Sequence, residues 1–226
     1  CRRKHHSLLH KGSEGFSAPV HKNEIRQTNL ASITTPDDSY IPLLGTTVVL
    51  VQDTDGNYQP VRAVIDSAAM SNLITQECAR RLKLKLYSKQ TNVSGVGDLE
   101  VSHNGAVKCS LKPRNQAKPE FSVEMTVLPV ITQRLPTIQV PKFIKEKWQH
   151  LQLADPQFDK PAKVDIILGA GIFPYVYTGK KVLTDSDGCA LESVFGWVIT
   201  GFTPKNSQRS NQINLMCTED FTLQSA

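Results

Sequence analysis

Long apolar runs are missing from this sequence of 226 residues, and their absence limits what the chain can be. No stretch reaches the roughly 18 apolar residues of a transmembrane helix, so we expect no membrane anchor. The basic, histidine-rich N-terminal residues lack the apolar centre of a secretory signal. The five cysteines are odd in number and never spaced as Cys-x-x-Cys. This pattern argues against a disulfide framework and favours reduced thiols inside a cell.

Several catalytic and cofactor motifs are missing as well. The sequence has no Gly-x-Ser-x-Gly, which argues against a serine hydrolase. Gly169-Ala170-Gly171 follows a predicted strand, but Pro174 stands where a dinucleotide-binding motif has its third glycine, and we expect no helix through Pro174. Cys78 and Cys109 have no recognisable histidine partner and are expected to be core or surface thiols. We therefore predict no cofactor and no metal for the folded domain.

Composition and charge divide the chain into three predicted segments: a basic linker at 1–40, one β-rich domain at 41–204 and a polar linker at 205–226. The net charge is +5, and much of the excess lies in the first segment. Such a tail is compatible with RNA contact, although the usual interpretation is a solvated linker. Cys1, His6 and His10 have the spacing of a truncated zinc knuckle, with an incidental histidine-rich tail as the alternative.

Alternating apolar residues and turn signals predict a mainly β domain. A hairpin is predicted from strands at 46–51 and Tyr58–Ile65, joined through an Asp-Gly turn at Asp55 and Gly56. Further strands are predicted at 106–111, 121–130, 164–169 and 193–201. Helical spacing of apolar residues predicts two short helices, one at 75–82 beginning at a capping Thr75 and one at 142–151. In the second, Phe143, Ile144, Trp148 and Leu151 fall on one side.

The end of the strand Tyr58–Ile65 carries the main functional signal. It runs into Asp66, Ser67 and the small residues Ala68 and Ala69. A carboxylate at the tip of a buried strand is partly shielded from water, and burial disfavours its charged form, which suits it to proton transfer. The alternative is that Asp66 turns the chain or caps the next helix, because Asp and Ser are common N-caps.

Several motifs follow one another around Asp66 in a fixed order. A hairpin precedes the Asp-Ser strand end, and a short helix, a glycine-containing loop, further strands and an apolar-apolar-Gly triplet follow it. Five segments carry a resemblance: 63–75, 93–97, 153–158, 164–173 and 195–201. Together they resemble the aspartic protease of BEL/Pao-type retrotransposon polyproteins, over about residues 45–203. The resemblance implies a mainly β, retropepsin-like single-lobe acid protease fold with one or two short helices.

The resemblance also implies a role for individual residues. Asp66 would be the catalytic aspartate, with Ser67 forming hydrogen bonds that brace the paired active-site loops. Ala68 belongs to the same loop and stands where aspartic proteases generally have glycine. The remaining implied residues are a flap or flap hinge at Gly95, Val96 and Gly97 and apolar support beneath the active-site loop at Ile167, Leu168 and Gly169.

Peptide hydrolysis of this kind needs two carboxylates that share one proton. The chain offers one suitable aspartate, so the resemblance implies a homodimer with one Asp66 from each subunit. The implied substrate is a retrotransposon polyprotein, cleaved in the cytoplasm within retroelement particles, with no cofactor and no membrane partner. Two alternatives come from other classes: an inactive retropepsin-like dimerisation or interaction module, and a nucleic-acid-binding segment that uses the basic N-terminal tail.

Overall fold

The computed structural model describes residues 39–94, 100–184 and 187–205 of the chain. Within these ranges the chain forms eleven strands and three short helices. The strands are β1 (Tyr40–Leu43), β2 (Thr46–Gln52), β3 (Tyr58–Ile65), β4 (Leu73–Thr75), β5 (Tyr87–Ser94), β6 (Glu100–Pro113), β7 (Phe121–Leu128), β8 (Ile166–Leu168), β9 (Tyr177–Leu183), β10 (Cys189–Ser193) and β11 (Gly196–Pro204). The helices are α1 (Gln76–Arg81), α2 (Lys142–Trp148) and α3 (Phe173–Val176). No helix in these ranges is long and apolar enough to cross a membrane.

Seven strands form the larger sheet, here called the site sheet, in the order β2-β3-β8-β4-β7-β6-β5. A further pairing of β2 with β6 closes part of this sheet on itself. β8 runs parallel to β3 and antiparallel to β4, so it separates two strands that lie close in sequence. The remaining neighbours are antiparallel except for the parallel pair of β4 and β7. Insertion of β8 therefore brings the end of β3 beside the end of β8.

The hairpin and the first helix agree with the sequence predictions. β2 and β3 pair antiparallel up to Gln52 and Tyr58, and the Asp-Gly turn lies between them. The helix α1 is capped by Thr75, whose hydroxyl accepts the N–H of Cys78 at 3.2 Å. Thr75 thus satisfies one of the free N–H groups at the start of the helix. The helix begins where the sequence predicted it.

The remaining four strands form a second sheet in the order β1-β11-β10-β9. The prediction of one strand at 193–201 is wrong, because the chain turns at residues 194 and 195 and pairs Ser193 with Gly196. Gly196 has a φ of 110°, and a Cβ there would lie 2.6 Å from the carbonyl oxygen of Gln152. Only glycine fits that turn without strain.

The prediction of one or two helices is also too low, because α3 follows β8 as a single turn that includes Pro174. Proline is tolerated in the first turn of a helix, where its missing N–H leaves no bond unmade. The second predicted helix ends earlier than expected, at Trp148. Ile144 and Trp148 face inward as predicted, whereas Phe143 is 36% exposed.

Apolar packing follows the division into two sheets. The largest buried cluster fills the site sheet, and a smaller one, which includes Val64 and Ile167, lies beside the end of β3. A third cluster joins α2 to the second sheet through Trp148, Ile144, Ile41 and other apolar residues. We call α2 and the second sheet together the terminal layer, because it contains the first and last strands of the described chain.

Candidate active site

Asp66 lies directly after β3, half-buried at the end of the site sheet. Its N–H donates to the carbonyl oxygen of Leu168 at 2.9 Å, which extends the parallel pairing of β3 and β8. Asp66 is no helix cap, since α1 begins ten positions later and is capped by Thr75. The aspartate does hold a turn, because its Oδ1 accepts the N–H of Ala68 at 2.9 Å.

The loop from Asp66 to Asn72, here called the Asp66 loop, crosses the end of β8 at very short range. Gly169 is the contact point, because a Cβ there would lie 2.6 Å from the carbonyl oxygen of Ala69 and 2.8 Å from that of Ser71. The N–H of Ala170 donates to Ala69 O at 2.8 Å. Glycine therefore permits a backbone approach that any side chain would prevent.

The two residues after Asp66 are exposed. Ala68 keeps an ordinary backbone conformation, since Lys83 is the one described non-glycine residue with a positive φ. The backbone of the Asp66 loop thus accepts alanine where glycine was expected. Ser67 makes no hydrogen bond to any described residue of its own chain, so its implied bracing role needs a partner from elsewhere.

The residues expected to support the Asp66 loop lie in and after β8. Ile167 is 2% exposed and belongs to the same apolar cluster as Val64. Ala69 packs against this cluster. Leu168 is fully buried and anchors Asp66 through its carbonyl oxygen. The structure thus brings Asp66, Ile167, Leu168 and Gly169 together.

The flap candidates Gly95, Val96 and Gly97 lie outside the described residues. The strands β5 and β6 on either side of them pair antiparallel up to Ser94 and Glu100. Cys1, His6 and His10 also fall outside the described ranges, as does most of the basic tail. The assignments of a flap, a zinc-knuckle remnant and an RNA contact therefore remain predictions.

Among the described residues, the three buried aspartates are all engaged by cations. Asp155 pairs with Arg62 at 2.6 Å, and Asp159 pairs with Lys145 at 2.7 Å. Asp165 lies 3.2 Å from Lys163 Nζ and accepts the hydroxyl of Thr75 at 2.8 Å, with Arg81 also close by. A carboxylate neutralised in this way does not serve as the second member of a proton-sharing pair. Among the described residues, two half-buried aspartates directly follow a strand without such a partner, Asp66 and Asp53. Asp53 lies at the opposite end of β3 and holds the hairpin turn, where it accepts hydrogen bonds from the N–H groups of Asp55 and Asn57 and from Gln59.

Sequence reasoning assigned no role to the buried pair of Arg62 and Asp155. Arg62 Nη1 also donates to the carbonyl oxygens of Leu135 and Ala162, at 2.5 and 3.1 Å. Asp155 Oδ2 accepts a further hydrogen bond from Thr46 at 2.8 Å. This network ties the segment between β7 and β8 to the strand that carries Asp66. The signal was a charged residue inside an apolar strand, because a buried charge requires a partner.

The described thiols are poorly suited to nucleophilic chemistry. Burial raises the pKa of Cys78 to about 11 and the pKa of Cys109 to about 12. Both are therefore protonated near neutral pH, and the thiolate is the reactive form. In the described ranges no group of three or more His, Cys, Asp or Glu residues is arranged to hold a metal ion. The chemistry available at the strand end is that of a carboxylate.

A family comparison covers the part of the chain that contains the Asp66 loop. A family profile described as "Aspartyl protease" matches residues 50–170, which is more than half of the chain and includes Asp66 and Gly169. The chain belongs to the aspartyl protease family. The expectation of a mainly β, single-lobe acid protease fold is thereby confirmed, apart from the number of helices and the turn at 194 and 195.

Two solved structures illustrate what the chain is similar to. One is EIAV protease complexed with the inhibitor HBY-793, at 19% identity and a TM-score of 0.34, covering 63% of this chain and 92% of that one. The other is a retropepsin-like aspartic protease from Rickettsia conorii, at 11% identity and a TM-score of 0.29, covering 71% of this chain and 96% of that one. A comparison with the curated proteins found no match.

Proposed function

We propose that this protein is an aspartic endopeptidase that works as a homodimer, with one Asp66 from each subunit. The observation that carries the proposal is the fixed position of Asp66 at the end of β3, within the matched family segment. Its N–H is bound to Leu168 and its Oδ1 accepts the N–H of Ala68, which leaves Oδ2 for a second carboxylate or a water molecule.

The dimer follows from the number of suitable carboxylates. The buried aspartates among the described residues are paired with Arg or Lys, and half-buried Asp53 is engaged in the turn at the opposite end of β3. We therefore infer that the second carboxylate comes from another copy. A two-fold axis beside Asp66 would place the two equivalent loops against each other. Ser67, exposed and without a hydrogen bond to any described residue of its own chain, is then available for contacts across that axis.

The proposed reaction is hydrolysis of a peptide bond by an activated water. Two carboxylates about 3 Å apart cannot both ionise, so the pair holds one proton. The ionised carboxylate takes a proton from water, which attacks the scissile carbonyl carbon, and the protonated one donates to the carbonyl oxygen. The tetrahedral intermediate collapses when its C–N bond breaks: the leaving amine nitrogen takes the proton that came from water, and a hydroxyl of the intermediate returns its proton to the other aspartate. No cofactor enters this scheme.

The proposed substrate is a retroelement polyprotein of the BEL/Pao type, processed inside retroelement particles in the cytoplasm. The resemblance of five ordered segments, from 63–75 to 195–201, supports this assignment. Residues 1–40 and 205–226 would then be linkers beside the protease domain, as their composition predicts. Cleavage within such linkers would release the domain.

The decisive experiment incubates the full chain at mildly acidic pH with its own linker segments fused to a reporter. We expect cleavage by the wild type, and Asp66→Asn should lower kcat by about 10²–10⁴-fold while leaving the circular dichroism spectrum unchanged. A peptide that mimics the tetrahedral transition state should inhibit the wild type. Cleavage at the same sites by purified Asp66→Asn protein at close to the wild-type rate would contradict the proposal.

Mixing the two proteins tests the homodimer directly. If each active site needs two Asp66 residues, equal amounts of wild type and Asp66→Asn exchange into about one quarter wild-type dimers. Activity should fall to that fraction rather than to one half, and sedimentation should show a dimer throughout. A dimer that neither cleaves peptide nor binds the inhibitor would instead favour the inactive interaction module.

A further inference from the structure

Asn72 ends the Asp66 loop and contacts two separate parts of the site sheet. Its side-chain Oδ1 accepts the N–H of Gly169 at 2.9 Å. Its Nδ2 donates to the carbonyl oxygen of Glu124 at 3.2 Å, and its own carbonyl oxygen accepts the N–H of Thr126 at 2.9 Å. One side chain therefore links the Asp66 loop to β7 and to the turn after β8.

The bond to Gly169 lies next to the bond that fixes Asp66. Leu168, whose carbonyl oxygen accepts the Asp66 N–H, is the neighbour of Gly169 in sequence. The Asp66 loop is thus attached to the end of β8 at both ends, through Asp66 at its start and Asn72 at its finish. Between these two points Gly169 packs against the carbonyl oxygens of Ala69 and Ser71.

We propose that Asn72 is a positioning residue for Asp66, and this inference rests on the proposed proteolytic function. Its amide donates and accepts at once, and holds the Asp66 loop between β7 and the turn at Gly169. If the amide is removed, Gly169 loses its acceptor and the Glu124 carbonyl loses a donor. The loop can then move relative to Leu168, and the Asp66 carboxylate with it. A displacement of about 1 Å can cost roughly a hundredfold in rate.

Gln139 offers a matched control in another part of the molecule. Its side-chain amide also joins two chain segments, donating to the carbonyl oxygen of Asp159 at 2.9 Å. Gln139 lies in the segment between β7 and β8 and makes no hydrogen bond to the Asp66 loop. Gln139→Ala therefore removes a comparable amide contact without touching the positions that fix Asp66.

The kinetic test compares Asn72→Ala with Gln139→Ala in the full chain at equal amounts of folded dimer. We expect Asn72→Ala to lower kcat by about ten- to a hundredfold with little change in KM, because the catalytic group moves and the substrate contacts remain. Gln139→Ala should retain wild-type kcat. A kcat for Asn72→Ala within about twofold of the wild type would overturn the inference.

Asn72→Asp distinguishes the accepted hydrogen bond from the donated one. Its nearly unchanged shape also provides a second test if Asn72→Ala does not fold. The carboxylate still accepts the N–H of Gly169 but cannot donate to Glu124 O, whereas the protonated acid can do both. The ratio of variant to wild-type kcat should therefore rise as the pH falls. A ratio that does not change with pH would contradict a positioning role for the donated bond.

Hydrogen exchange supplies a readout that needs no catalysis. In Asn72→Ala the amides of Gly169 and Ala68 should exchange at least about tenfold faster, while the amides of α2 keep their wild-type rates. If the wild type is inactive, the proposed function fails, and this measurement still decides whether Asn72 holds the Asp66 loop. Unchanged exchange at Gly169 and Ala68 would overturn the inference whatever the activity.

Discussion

The site sheet and the terminal layer hold their parts together by different means. At the end of the site sheet, hydrogen bonds from Asp66 and Asn72 and the close crossing at Gly169 fix a short polar loop. In the terminal layer, α2 is held on its sheet by apolar contacts centred on Trp148, which is 1% exposed. Hydrogen bonds are directional and fix atomic positions, whereas apolar burial is non-directional and contributes mainly stability.

A buried ion pair connects the site sheet to the chain segment that contains α2. Arg62 in β3 contacts Asp155 and the carbonyl oxygens at both ends of the segment that contains α2. Asp155 is 2% exposed, so breaking the pair would leave an uncompensated buried charge. The comparison therefore predicts that substitutions in the terminal layer change stability, and that substitutions near Asp66 change activity as well.

The largest expected effect on stability is that of Trp148→Ala. Removing this buried ring should lower the free energy of unfolding by about 3–5 kcal/mol, since the cavity cannot collapse fully. Phe143→Ala on the same helix is the control and should cost less than about 1 kcal/mol, because Phe143 is 36% exposed. Denaturant unfolding measures both values. A lower kcat of the folded Trp148→Ala protein would show that the terminal layer also contributes to activity, which contradicts the predicted difference between the two regions.

Gly169→Ala comes next and should affect both stability and activity. The new methyl group would meet two backbone carbonyl oxygens at 2.6 and 2.8 Å, so the Asp66 loop has to shift. We expect a loss of about 1–3 kcal/mol in stability and roughly a hundredfold in kcat. Gly171→Ala is the matched control, because a Cβ at Gly171 meets nothing within 4 Å. Equal kcat values for the two variants would show that the glycine crossing does not position Asp66.

A smaller effect is expected from the titration of Cys78 in the site sheet. Burial raises the pKa of this thiol from 9.0 to about 11. The unfolded chain releases the proton near pH 9 and the folded chain does so only near pH 11, so this contribution is complete below pH 9 and is lost as the pH rises through that window. Between pH 8 and 11 the melting temperature should fall less steeply with rising pH for Cys78→Val than for the wild type. An equal pH dependence of the two melting temperatures would contradict a raised pKa of Cys78 in the folded protein.

The smallest effect is expected from Ala68→Gly, which restores the residue expected at this position. Because Ala68 already has an ordinary backbone conformation, glycine relieves no strain and only increases the entropy of the unfolded chain. Stability should fall by about 0.4–1 kcal/mol, and kcat should stay of the same order. A large gain in kcat would show that the methyl group obstructs the site in the dimer.

The sequence alone predicted the hairpin of β2 and β3, the capped start of α1 and the buried strand β8, each of which depends on local signals. Asp66 could be singled out because an apolar strand ends abruptly in a carboxylate. The split of 193–201 into two strands was not predicted, because its cause is the approach of Gly196 to the carbonyl oxygen of Gln152, a residue distant in sequence. The extra helix α3 was missed because Pro174 was taken only as a helix breaker.

The sequence by itself determined the alternation of apolar residues in the strands, the turn and cap residues, and Asp66 as the candidate aspartate. These features depend on neighbours along the chain. The tertiary structure alone decided that β8 lies between β3 and β4, which brings Leu168 to Asp66 and Gly169 to Asn72. It also decided which buried charges are neutralised, because Arg62 and Asp155 meet only when distant segments pack together. Contacts of this kind depend on the three-dimensional path of the chain, which local propensities do not specify.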